Sequence, residues 1–448
     1  MGAELSTGKS VGLISLGCPK ATVDSEEIVT SLLDLGYEVK LDESPDIVVI
    51  NTCGFIDAAR DESLEVIRQT QEAGKEVVIT GCLGAEKALL AAEFPALKFV
   101  SGPAQVAPVV DAVRSFLPVT VQGSVTRELG GKDARARLTE DHFAYLKISE
   151  GCNHHCSFCI IPTMRGRLKS RNLAEVVHEA KSLVDDGVQE LAVIAQDLGA
   201  YGVDLRYEEV DVDGSLHRTD LISVCRLLGD IAPWVRLHYV YPYPHMDVLI
   251  PLMRDGQVLP YLDIPLQHAS TRVLKAMRRP AAAEKSLERI RVWREICPDL
   301  AIRSTFIVGF PGETDEDVGL LLDFLEAAQL DRVGCFTYSA VEGASANLLD
   351  GHLEEWEKLD RQERVYEVQA DISRRRLQRH VGSKLRVLID RIEGEVAVGR
   401  SMFDAAEIDG VVYVHGPGCR VGEFAWVEIE TSDAHDLYGH LLGQEIGL

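Results

Sequence analysis

The sequence predicts an α/β protein in three parts: an N-terminal parallel α/β sheet domain, a central partial (β/α) barrel and a small antiparallel β-barrel at the C-terminus. Short apolar runs alternate with helical patterns through the first two thirds of the chain, as strand-helix units do. After a charged helical stretch the pattern changes to short β-type runs broken by Gly and Asp, which suits a small barrel. The 448 residues are enough for about three domains at roughly 150 residues each. We place the first domain at 1–120, a linker at 121–137, the barrel at 138–375 and the tail barrel at 380–448.

In the first part, "VGLISLG" (Val11 to Gly17), "DIVVINT" (Asp46 to Thr52) and "EVVITG" (Glu76 to Gly81) read as buried parallel strands. "VDSEEIVTSLLDLGY" and "DAARDESLEVIRQTQEAG" between them have helical periodicity. The polar stretch from Val121 to His142 reads as a linker or a mobile hairpin. In the middle part "FAYLKIS", "ELAVIAQD", "VRLHYVYP", "YLDIPLQ", "AIRSTFIVGFPG" and "RVGCFTYS" read as strands with helices between. Ligands in such barrels sit at the C-terminal ends of the strands. Leu353 to His380 is a charged helix. "KLRVLIDRIEG", "VAVGRSMFDAAEIDGVVYVHG" and "EFAWVEIETSDAHDLYGHLL" supply the tail barrel.

The formal charge is −25. Such a field repels a nucleic-acid backbone on average and attracts a basic partner. No apolar run is long enough to span a bilayer, and the first residues lack the pattern of a signal peptide. The chain therefore reads as cytoplasmic, where ten cysteines are a metal or redox signal rather than a disulfide framework. Cys225, Cys297, Cys335 and Cys419 lie in apolar or helical surroundings and read as ordinary buried thiols.

The remaining six form two groups. "SEGCNHHCSFCIIPTMRGRLKSR" follows a strand and spaces Cys152, Cys156 and Cys159 as C-x3-C-x2-C. Zinc usually takes four ligands, often as two C-x2-C pairs, and no fourth ligand stands at a matching spacing. Three thiolates suit three irons of a four-iron cluster, with the fourth iron open. Cys18, Cys53 and Cys82 make the second group. Each closes a buried strand ("LISLGC", "VVINTC", "VVITGC") and each has Gly beside it. A parallel sheet gathers these three positions at its C-terminal edge, and glycine allows close backbone approach. Again there are three thiols, so again one iron of a cluster would stay open.

The C-x3-C-x2-C loop after a first barrel strand resembles the radical S-adenosylmethionine (SAM) enzymes, including the aromatic Phe158 between the second and third cysteines. A second three-cysteine domain before it, and a small barrel after it, resemble the methylthiotransferase family over nearly the whole chain. The resemblance implies two [4Fe-4S] clusters and SAM used both as radical source and as methyl donor. It implies that the open iron of the first cluster binds the methionine moiety, and that an electron from this cluster produces a 5′-deoxyadenosyl radical. That radical takes hydrogen from a substrate carbon. The auxiliary cluster carries the sulfur that is methylated and transferred there. It also implies that the small barrel is a TRAM domain.

The family has a branch acting on tRNA adenosine and a branch acting on the β-carbon of an aspartate in protein twelve of the small ribosomal subunit. "SLGCPKATVDSE", "NTCGFIDAARDES", "RLHYVYPYP", "YLDIPLQHAS", "GRSMFDAAEIDG" and "DLYG" resemble the second branch; Pro19 and Lys20 stand where the RNA branch usually has Gln-Met. Ala21 departs from the expected Asn. Charge agrees. From Gly382 to Leu448 there are 5 Lys and Arg against 12 Asp and Glu, a net of −7, which suits a basic ribosomal protein better than tRNA. The expected partners are that ribosomal protein and an external electron donor, with no membrane, no direct tRNA binding and a monomeric state. The alternatives are the same chemistry on tRNA, or a non-catalytic iron-sulfur scaffold.

Cofactor contacts are expected at strand ends. The resemblance puts Gln196 and Asp197 near SAM. Gln267 and His268 close a later strand and face the same mouth, although a structural histidine answers His268 equally well. Gly309 lies in "VGFPGET", where backbone can approach an adenine or ribose. Arg165, Arg167, Lys169 and Arg171 follow the cysteine loop at alternate positions, as carboxylate contacts or as an exposed basic edge.

Overall fold

Three large sheets organise the chain in the computed structural model, which describes residues 8–40, 45–119, 135–279 and 283–444. The first is a five-stranded parallel sheet in the order Glu38–Lys40, Ser10–Ser15, Ile47–Thr52, Glu76–Gly81, Phe99–Val100. Its central strands are nearly continuous runs of Val and Ile, as strands covered on both faces require. Val49, Ile50, Val78 and Ile79 are fully buried. Helices cover both faces, so two separate apolar clusters flank the sheet.

The second sheet has six parallel strands, from Phe143–Lys147 through Glu190–Ile194, Trp234–Leu237, Tyr261–Asp263 and Ala301–Val308 to Arg332–Thr337. Neighbouring strands in space follow chain order, and the sheet does not close. This is the expected partial barrel. One of its helices, Leu173–Asp185, starts at Asn172, whose side chain accepts the Ala174 N–H and so caps the helix.

The third sheet is a closed five-stranded barrel made of Lys384–Glu393, Val396–Ser401, Val412–His415, Phe424–Ser432 and Leu437–Gln444. It is antiparallel except where Val412–His415 runs parallel to Leu437–Gln444. The alternation of apolar residues gave the strands but not this one pairing direction, because both directions bury the same face. Helix Glu355–Gln378 leads into this barrel. Its charged sequence is held by Arg361 on Glu313 and Arg376 on Asp331.

Two interfaces position the site. Helix Pro19–Asp34 of the first domain lies against the strand Phe143–Lys147, at the open side of the barrel. Val23 enters the barrel interior beside Phe143, Tyr145, Ala192 and Ile194. The two carboxylates of this helix that are buried at the junction are paired: Asp24 with Lys147 and Arg165, and Glu26 with Arg135 at 2.9 Å, as burial requires. Of the expected linker, 121–134 lies outside the described residues, but Arg135 and Arg137 are pinned to Glu179 and Asp186.

The tail barrel docks on the opposite end of the central sheet. Phe424, Ala405 and Leu388 pack on Trp234, Tyr261 and Ala301, each the first residue of its strand. The loop 402–410 reaches up into the barrel. Arg236 donates to the Met402 carbonyl at 3.0 Å, Arg303 and Tyr261 donate to Asp409 at 3.0 and 2.6 Å, and Arg332 donates to Asp404 at 2.5 Å. Asp404 and Asp409 thus face inward, and part of the tail's negative charge is neutralised within the protein.

Candidate functional site

The strand ends bring the two cysteine groups to one junction. Cys18 precedes helix Pro19–Asp34, whose first residue, Pro19, has no N–H to leave unpaired. Burial alone would push the Cys18 thiol up. Lys20, Arg165 and the backbone N–H groups of Ala21 and Lys20 outweigh it, and the thiol lies below its ordinary value. A thiol at a helix start beside cations is the setting that favours thiolate. Burial raises Cys53 against the N–H groups of Phe55 and Gly54. Cys82 is pushed up to about 11 by burial, against the cation and hydrogen bond of Arg165.

The glycines beside these cysteines are needed by neighbouring loops. A Cβ on Gly17, which has φ +108°, would stand 3.1 Å from Cys53 Cβ and 3.4 Å from its sulfur. On Gly54 it would meet Leu83 Cα at 3.0 Å. Larger residues would hold the three loops apart.

Across the junction, Cys152, Cys156 and Cys159 lie in a loop without regular structure. The backbone N–H groups of His154 and Ile161 donate to Cys152 and Cys159 sulfurs, each at 3.5 Å. Burial pushes the Cys159 thiol up to about 12. Cys82 packs against Ile160 and Met164, which follow this loop, so an apolar seam joins the two groups. Phe158 packs with Val273, Met277, Phe310 and Tyr338.

Among the described residues no group of three His, Cys, Asp or Glu side chains is gathered as a single metal ion requires. A four-iron cube takes its thiolates at separate corners and asks for more open spacing, with N–H donors to the sulfurs. Three thiols on each side, most of them met by N–H donors or Arg165, fit that group.

The mouth beside the second loop is polar. Gln196 donates to Glu150 at 2.7 Å, and Glu150 also holds Arg165 and the Gly151 N–H. Asp197 Oδ2 takes His154 Nε2 at 2.9 Å and the Tyr243 hydroxyl at 2.8 Å. The His154 ring stacks on Tyr241 at 4.0 Å. Gln196 Oε1 and Asp197 Oδ1 are buried without partners. Two orphan acceptors at a strand end are a cradle for ammonium or hydroxyl donors.

Gln267 and His268 end their strand as expected, but each is tied within the fold. Gln267 has φ 72°, and its backbone bridges Thr305 and Ile307. His268 accepts the Ser270 N–H at Nδ1 and meets Glu313 through Nε2 at 3.2 Å. Both ring nitrogens are occupied, so His268 pins the Glu313 loop. Gly309 has φ +73°, and a Cβ there would meet Lys358 at 2.5 Å; the glycine admits the long helix. Of the basic run, Arg165 is buried on Asp24 and Glu150, and Arg171 is held by Glu179. Arg167 and Lys169 are exposed.

Glu150, Asp24 and Lys147 were missed as site residues, as was Arg279, which lies over the Tyr241 ring at 4.1 Å with its cation acting on Cys152 and Cys159. Glu150 had a signal, standing two residues before Cys152. Asp24 and Lys147 are distant in sequence, and only the packing of the two domains pairs them.

The chain matches the Radical SAM superfamily over residues 146–325, the TRAM domain over 381–442 and the Uncharacterized protein family UPF0004 over 10–102. It is 53% identical to the ribosomal protein uS12 methylthiotransferase RimO of Alkalilimnicola ehrlichii, covering 96% of this chain and 98% of that one. It is 54% identical to that of Marinobacter nauticus, covering 96% and 95%. This chain belongs to the RimO methylthiotransferase family. As a RimO-family member it is a radical SAM enzyme, and the family's chemistry uses SAM and [4Fe-4S] clusters. In fold it is like the radical SAM methyltransferase TsrM of Kitasatospora setae, solved with cobalamin and a [4Fe-4S] cluster, with TM-score 0.51 and 17% identity over 73% of this chain and 75% of that one. Among the described residues no helix is long and apolar enough to cross a membrane.

Proposed function

We propose that this RimO-family enzyme adds a methylthio group to the β-carbon of an aspartate in ribosomal protein uS12, with Cys152, Cys156 and Cys159 holding the radical-generating cluster and Cys18, Cys53 and Cys82 the auxiliary one. The observation that carries the reading is the facing of two three-thiol loops across one domain junction, sealed by Arg165 on Asp24 and by Cys82 on Met164. When bound, the first cluster supplies the electron that cleaves SAM to a hydrogen-abstracting radical, and the second supplies the sulfur.

The chain's own residues bind, orient and exclude water. Asp197 and Gln196 offer their orphan oxygens to the ammonium and hydroxyl groups of SAM. His154 and Tyr243 fix Asp197, and Glu150 fixes Gln196. The apolar seam of Phe55, Cys82, Ile160, Met164, Val341 and Ala344 keeps water from the junction, which strengthens the charge contacts made there. Gln267, His268 and Gly309 act behind this layer by holding the strand-end backbone. The enzyme takes its electron from an external donor. Its charge of −25 draws in a basic protein and repels tRNA.

The test is isotopic. With uS12 carrying β-deuterated aspartate, the 5′-deoxyadenosine formed should gain deuterium. Product free of deuterium, from an enzyme that does modify uS12, would overturn the β-carbon assignment.

A further inference from the structure

Cations crowd the junction between the cysteine loops, and all but one of those on the Cys18 side are used by the fold. Lys147 is held by Asp24 and Glu150, and Arg165 by the same two carboxylates. Arg279 stands on the other side. It lies over Tyr241 at 4.1 Å, donates to the Pro265 carbonyl and acts on Cys152 and Cys159.

Lys20 is different. It is 8% exposed, it stands two residues after Cys18 at the start of the same helix, and among the described residues it has no carboxylate partner. Its ammonium stands 3.3 Å over the Tyr239 ring. A buried ammonium on an aromatic face keeps its hydrogen-bonding capacity in reserve for a stronger acceptor.

The ring that receives it is deliberately placed. Tyr239 has φ 62°, a left-handed conformation that costs a bulky residue energy and clusters at functional sites. It is fixed by Asp263 Oδ2 accepting its N–H at 3.1 Å, and by its carbonyl accepting the Leu198 N–H at 3.2 Å. Leu198 follows Gln196 and Asp197. Lys20, two residues after Cys18, thus reaches the ring of the residue whose carbonyl is bonded to Leu198, beside the turn proposed to hold SAM.

We propose that Lys20 Nζ binds the side-chain carboxylate of the substrate aspartate and so aims its β-carbon between the two cysteine loops. This rests on the aspartate reading above. A carboxylate one bond from the reacting carbon is the substrate's own handle. A fixed ammonium would select aspartate over asparagine at the same position, because only the charged group repays desolvation.

The test is a double-mutant cycle read by binding. Fluorescently labelled uS12, and a uS12 variant with the modified aspartate changed to Asn, are titrated into anaerobically reconstituted wild-type, Lys20→Met and Lys20→Arg proteins by anisotropy, without reductant. Iron content checks that each protein is loaded. Lys20→Met should weaken uS12 binding about 10- to 100-fold, the loss of one charge-assisted contact, and Lys20→Arg should recover part of it. The Asn variant should bind the wild type weakly and show no further loss with Lys20→Met. Equal affinity of Lys20→Met and wild type for uS12, or an equal penalty against the Asn variant, would overturn the inference. If wild-type enzyme with SAM and reductant leaves uS12 unmodified, the functional reading itself fails, and this inference with it.

Discussion

Arg165 Nη2 donates to Asp24 Oδ2 at 3.1 Å, joining the helix that follows one cysteine loop to the helix that begins at the other. Arg165 also grips Glu150 and lies against Cys82. One side chain thereby sets the spacing of the two domains at the point where both cysteine groups meet. Removing it leaves Asp24 and Glu150 buried with reduced compensation. Arg165→Met should cost about 3–5 kcal/mol and lower the thermal midpoint of the unloaded protein. Calorimetry checks this, and an unchanged midpoint would show that the junction does not depend on the pair.

The cysteine groups should separate functionally. Cys152→Ala should abolish SAM cleavage. Cys53→Ala should abolish methylthio transfer and leave some cleavage, seen as 5′-deoxyadenosine by chromatography. Each variant should bind about half the iron of the wild type if each group holds one four-iron cluster. Full transfer activity in Cys53→Ala would remove the auxiliary cluster from that site.

Asp197→Asn should weaken SAM. The wild-type carboxylate takes both His154 and Tyr243, and it keeps one oxygen for the ligand. An amide cannot accept both bonds and still present an acceptor, so KM for SAM should rise about 10-fold or more. An unchanged KM would place SAM away from this turn.

Acid should loosen the tail barrel. Glu190 lies fully buried between Arg236 and Arg400. Burial would raise its carboxyl, but the two guanidinium groups hold it below its ordinary value. A lowered carboxyl contributes stability above its unfolded value, about 4.3, and that stability is lost as pH falls through the folded value. Glu190→Gln should therefore destabilise the protein by about 3 kcal/mol near neutrality, with the difference shrinking as pH falls below about 4. Thermal midpoints across pH test this; a constant difference would show that the carboxylate charge is not what docks the barrel.

Much of this was legible in the sequence because the signals are local. The C-x3-C-x2-C spacing and the three strand-ending cysteines each lie within a few residues of the backbone feature that presents them. The apolar runs fixed the parallel strands in the same way. What was not legible depends on contacts between distant segments. The pairing of Asp24 with Lys147, the docking of 402–410 into the barrel and the burial of Asp404 and Asp409 join residues separated by a hundred positions or more in most cases. For that reason the tail's charge count overstated the acidity it presents outward. His268 and Gly309 are the reverse case. Their positions at strand ends suggested ligand contacts, and the fold accounts for both through Glu313 and Lys358.

The central claim is that this enzyme methylthiolates uS12. The most direct test offers uS12 and tRNA in parallel to the anaerobically reconstituted enzyme with SAM and reductant, followed by mass spectrometry of both. The account predicts a methylthio mass gain on a single aspartate of uS12 and none on tRNA. A gain on adenosine alone, or on neither, would contradict it.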